Sequence, residues 1–123
     1  MTIFQGILDN GNGFDVQSTL GTATTVSGVT TYSNQSLDVV NGMNLGLPAS
    51  GVTVIFTVPA SMDESTKQFT VAKFSANGTV LVSGTSPVTI NGSTAALTIA
   101  NLVGKNFFAV PSASGTTNEW VSF

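Results

Sequence analysis

Cysteine, histidine and arginine are absent from this sequence. Each absence removes chemistry. Without Cys there is no disulfide, no thiolate nucleophile and no zinc–sulfur site. Without His the commonest general base and the commonest transition-metal ligand are missing. The only basic residues are Lys67, Lys73 and Lys105. Binding a phosphate backbone needs clustered cations, so nucleic-acid binding is excluded. An anionic membrane surface is disfavoured on the same ground. Charged residues are 7% of the chain and the formal net charge is −3. No apolar run approaches the length of about 18 residues that a membrane-spanning helix needs. Met1-Thr2-Ile3-Phe4 offers no charged segment ahead of an apolar one, so no secretory leader is expected.

What is present is Thr, Ser, Asn and Gly around an ordinary apolar fraction of 41%. At 123 residues one domain is expected, long enough to bury a core without staples. The apolar pattern is that of strands. Val52, Val54, Phe56 and Val58 alternate with Thr53 and Thr57, the clearest period-two segment in the chain. Further strands are expected over residues 2–8, 14–19, 22–32, 36–40, 69–74, 79–82, 88–90, 95–99, 107–110 and 120–123. Asn-Gly pairs at Asn10-Gly11, Asn12-Gly13, Asn41-Gly42, Asn77-Gly78 and Asn91-Gly92 favour tight turns. Gly28 predicts a bulge or turn inside 22–32. Ser61-Met62-Asp63-Glu64 has the form of a capping box, so at most one helical turn is expected over 62–66. Turn signals at short, even spacing predict an all-β fold, an antiparallel sandwich of immunoglobulin-like or jelly-roll type.

From residue 43 to 123 the order of features resembles immunoglobulin-like and fibronectin type III-like β-sandwich domains. Residues 52–58 look like an early core strand. Leu97-Thr98-Ile99-Ala100-Asn101-Leu102-Val103-Gly104 looks like the fibronectin-type corner. Phe107-Phe108-Ala109-Val110, then Ser114-Gly115-Thr116, then Trp120-Val121-Ser122-Phe123 look like the last two strands and their loop. A Tyr is expected where Phe107 or Phe108 stands, no Trp lies on an early strand, and no Cys pair exists, so a disulfide-bridged immunoglobulin domain is excluded. On this reading residues 1–42 are extra N-terminal strands of one domain spanning 1–123. They are also compatible with a jelly roll, since residues 9–14 resemble the opening of carbohydrate-binding jelly rolls. Such folds host many functions.

Residues 9–15 gather Asp9, Asn10, Asn12 and Asp15, oxygen ligands of the kind calcium takes. Their spacing fails the helix-loop-helix calcium pattern, and Asn-Gly turns explain the same residues, so no metal site is assigned. The carboxylates are Asp9, Asp15, Asp38, Asp63, Glu64 and Glu119. A glycosidase needs two of them across a cleft. With no His, Cys or Arg to fill the usual roles, no catalytic residue and no cofactor is assigned, and the chain is read as a non-enzyme. Tyr32 and Trp120 are the two aromatics with a polar handle and the candidate ligand-binding residues, as sugar-stacking rings. Burial with the polar atom hydrogen-bonded explains them equally. Asn34-Gln35-Ser36, Asn77-Gly78-Thr79 and Asn91-Gly92-Ser93 match the glycosylation pattern, as chance matches in a chain rich in these residues.

The function expected is a non-enzymatic structural or adhesive module of an assembled surface: a virion decoration, tail or fibre component, or an extracellular adhesin or filament subunit. Its partners are other copies of itself or a larger assembly. A carbohydrate-binding module is the alternative, with a glycan as ligand. A virion or cell-surface location follows from either.

Overall fold

The computed structural model describes residues 5–9, 11, 13–59, 68–110 and 119–123. The helical turn expected over 62–66 and the loop at 114–116 lie outside them. All regular structure among the described residues is β. β1 (Gly6–Asp9) and β2 (Asp15–Thr19) form an antiparallel hairpin at one end of a long sheet. β3 (Thr22–Val26) and β4 (Val29–Ser33) form a second hairpin that joins neither main sheet. β5 (Gln35–Asp38) then enters a short sheet and β6 (Gly42–Gly46) returns to the long one. β7 (Thr53–Val58) lies in the short sheet, β8 (Gln68–Lys73) in the long and β9 (Thr79–Gly84) in the short.

Every step from β5 to β9 therefore changes sheet, and the chain coils. β2, β6 and β8 come to lie side by side and parallel, as do β5, β7 and β9. The coil makes about three turns of a β-solenoid-like stack. Four more strands close it: β10 (Thr89–Ile90), β11 (Leu97–Ile99), β12 (Gly104–Ala109) and β13 (Glu119–Ser122). β11 is antiparallel to β9 and β12 to β8; β13 is antiparallel to β12, and β10 is parallel to β13.

This overturns the antiparallel sandwich, whether immunoglobulin-like or jelly-roll. Two sheets do face each other, but their central strands run parallel. Parallel neighbours need a long crossover, commonly a helix. Here the crossover between two neighbours is a strand of the opposite sheet. Hence Asn77-Gly78, expected to turn a hairpin between 69–74 and 79–82, instead lies on an arc that carries the chain from β8 to β9 in the facing sheet. At Asn91-Gly92 the tight turn does form, with Ile90 and Ser93 exchanging backbone bonds at 2.9 and 3.0 Å, but the strands on either side then part, because β10 joins the long sheet and β11 the short one. Residues 6–38 contribute strands to the same two sheets as the rest, through β2 beside β6 and β5 beside β7.

Period-two alternation still decides which side chains face inward. Val54, Phe56, Val58, Val80, Val82 and Ile99 from the short sheet meet Phe69, Val71, Ile90, Phe107 and Trp120 from the long one, all buried. Phe69 and Phe107 are cross-strand partners whose rings stack at 5.0 Å, 8° from parallel, and Trp120 tilts against Phe69 at 5.0 Å. Aromatic contacts of this kind add about 0.5–1.5 kcal/mol beyond burial. Where the sheets approach closely no side chain fits: a Cβ on Gly46 would stand 2.5 Å from Val80 Cγ2.

Candidate interaction site

The two aromatics singled out in the sequence have different fates. Trp120 is 3% exposed, with its ring against Phe69 in the core. It presents no face on which a sugar could stack. Tyr32 is half-buried near the end of β4, against the edge of the core. The structure does not bring the two rings into one site.

Asp9 and Asp15 are cross-strand partners on β1 and β2, and no group of three or more potential metal ligands gathers among the described residues. Asn10 and Asn12, half of the candidate calcium stretch, lie outside the described residues. Glu119 has a structural task. Its Oε1 accepts the Gly92 N–H at 2.6 Å and its Oε2 the Thr89 hydroxyl, which ties β10 and its following turn to β13. Asn34 and Asn91, two of the glycosylation matches, are bonded into the fold. Asn34 Oδ1 accepts the Thr53 N–H at 2.9 Å, and Asn91 exchanges bonds with Ser122.

Sequence reasoning missed a polar line inside the coil. Gln17, Thr19, Asn44 and Lys73 are all buried. Asn44 uses both ends of its amide. Oδ1 accepts Val40 N–H at 2.8 Å and Gln17 Nε2 at 3.0 Å, and Nδ2 donates to the carbonyls of Val40 and Thr70 at 3.2 and 3.1 Å. Lys73, 1% exposed, donates to the Ser75 carbonyl at 2.6 Å and to Asn101 Oδ1. These contacts brace the corners between sheets. They are satisfied internally and offer nothing to a ligand. Only their position on period-two inward faces could have flagged them, and polar residues there read as outward-facing.

The β3–β4 hairpin is different, because little of it is used by the fold. The bulge or turn that Gly28 predicts within 22–32 is a turn: Ser27 and Gly28, at φ 51° and 78°, make a two-residue turn that splits the stretch into two strands, the geometry that suits a tight hairpin. Apart from Tyr32, its strand residues are exposed, including Val26 at 67% and Val29 at 63% beside the turn. Residues 22–33 contain no charge. Threonines face each other across it: Thr24 pairs with Thr31, and Thr25 with Thr30, whose hydroxyls are 2.9 Å apart.

The base of this arm is fixed. Asn34 holds it to β7, and Thr22 Oγ1 donates to the Asn34 carbonyl at 3.1 Å. Gly21 sits at φ 120° with the Ser33 carbonyl 2.6 Å and Val52 Cγ1 2.8 Å from where a Cβ would be, so only glycine fits the exit. No protein-family model matches this chain, no curated protein matches it in sequence, and no solved structure matches its fold.

Proposed function

We propose that this chain is a non-enzymatic structural or adhesive module that works as one of many in an assembled surface, such as a virion decoration or a cell-surface filament. The observation that supports this best is the β3–β4 arm: a fixed, uncharged, threonine- and valine-rich ribbon exposed along almost its whole length. Isolated two-stranded ribbons are marginal in water. Natural proteins protect exposed strand edges with charges or proline, and this ribbon has neither. A surface that avoids aggregation has reason to remove such a feature, and a surface built to associate has reason to keep it. The low charge of the whole chain acts in the same direction, since copies meet with little self-repulsion.

The test is molar mass by light scattering over a concentration series. Self-assembly gives a multiple of the 12.5 kDa chain that grows or persists with concentration. A 12.5 kDa species at every concentration overturns the reading.

A further inference from the structure

We infer that the β3–β4 arm is the part that holds a second copy of this chain, by adding its outer edge to the free edge of the partner's β5. The inference rests on the self-assembly proposed above and names its contact.

Three observations select a second copy. First, the arm carries no formal charge, so a charged partner finds no complement on it. What it offers is backbone. Each of its two strands is paired on one side only among the described residues. Second, the chain has a matching surface. β5 ends the short sheet and, among the described residues, pairs only with β7; on its other edge the Asp38 carbonyl accepts Gln17 Nε2 at 2.8 Å, which leaves the Ser36 end of that edge for a further strand. Adding a strand to such an edge is a recurrent mode of recognition. Third, arm and edge belong together in the chain, since only Asn34 separates β4 from β5. A two-fold axis beside Asn34 then places each arm along the other copy's β5, so both edges are used at once and the contact closes. β5 carries one charge, Asp38, at the end far from the arm.

The register of the arm says which atoms do this. Val26 and Val29 flank a two-residue turn, so they form a hydrogen-bonded pair, and pairs alternate from there. The N–H groups of Thr25 and Thr30 therefore point out of the hairpin. Thr30→Pro removes one outward donor and leaves the ladder within the arm intact.

The experiment compares the wild type, Thr30→Pro and a chain in which residues 23–31 are replaced by Gly-Gly. Mass is measured by light scattering, and far-ultraviolet circular dichroism with Trp120 emission reports the fold. The expected result is an unchanged core with self-association weakened at least about tenfold in both variants. Cross-linking gives a second readout, free of background because the chain has no Cys. Thr30→Cys and Ser36→Cys chains, mixed and oxidised, should form a covalent dimer, since both residues turn their backbone groups to the shared edge. Thr30→Cys with Thr98→Cys, on β11, should not. An oligomer that persists in both variants, or cross-linking equal at Ser36 and Thr98, overturns the arm assignment and leaves self-assembly standing. A wild type that is monomeric throughout removes both.

Discussion

Gln17 and Asn44 sit opposite each other on adjacent parallel strands, both facing inward, with Gln17 Nε2 donating to Asn44 Oδ1 at 3.0 Å. One step further along the sheet Asn44 stands opposite Val71, so an amide pair abuts the apolar core directly. In that setting an amide is tolerable only because each of its atoms is paired.

Asn44→Leu is therefore expected to destabilise strongly, by about 3 kcal/mol or more, although Leu is apolar and similar in size. It strands the Val40 N–H and carbonyl and takes an acceptor from Gln17 Nε2, and each orphaned group costs about 1–3 kcal/mol. Urea titration followed by Trp120 emission measures this. A loss under 1 kcal/mol, on the order of a single ordinary hydrogen bond, would contradict the reading.

Lys73 and Asn101 make the opposite test. Asn101→Ala removes an acceptor from a buried ammonium and is expected to cost about 1–3 kcal/mol. Lys73→Met keeps the apolar stem and removes the cation, so it should cost less than Asn101→Ala. The order of the two midpoints in urea decides it.

Gly46→Ala probes the contact between sheets. The added methyl meets a Val80 methyl at 2.5 Å, and the two sheets must separate there to admit it. Overpacking of this kind costs about 1–3 kcal/mol. Combining it with Val80→Ala should recover part of the loss, and a purely additive double variant would show that the two positions do not meet.

Trp120 supplies a signal that bears on the carbohydrate alternative. Being the one Trp and 3% exposed, it should emit at short wavelength and resist quenching by iodide until the protein unfolds. Soluble polysaccharides should leave that emission unchanged. A shift on adding one would mean that the ring is reached, which its packing against Phe69 forbids.

What the sequence makes legible is local. The alternation of Val52, Val54, Phe56 and Val58 names the buried face of β7 correctly, and Phe107 and Trp120 fall on the antiparallel final pair, β12 and β13. Strand direction is not legible, because an inward-facing Val obeys the same period whether its neighbour runs parallel or antiparallel. Asn77-Gly78 shows the consequence. It reads as a hairpin turn, yet a tight turn can also swing the chain across the core to the other sheet, and pairing partners many residues away decide between the two. The arm was half legible. Gly28 marked a turn, and the threonines marked strands, but that the ribbon joins neither main sheet among the described residues shows only in the structure. Gln17, Asn44 and Lys73 were invisible as core residues, since polar side chains enter an interior only when partners distant in sequence are waiting.

The coil also sets the order in which this chain can fold. A hairpin such as β3–β4 closes as soon as its dozen residues exist. β5 has no neighbour in its own sheet until residues 53–58 have arrived, and β6 gains β8 only after another traverse of the opposite sheet. Nearly all of the central pairing is thus between segments far apart along the chain, which places the molecule among slow folders. On the ribosome each coil must wait for the next to emerge, with one strand bare in the interval.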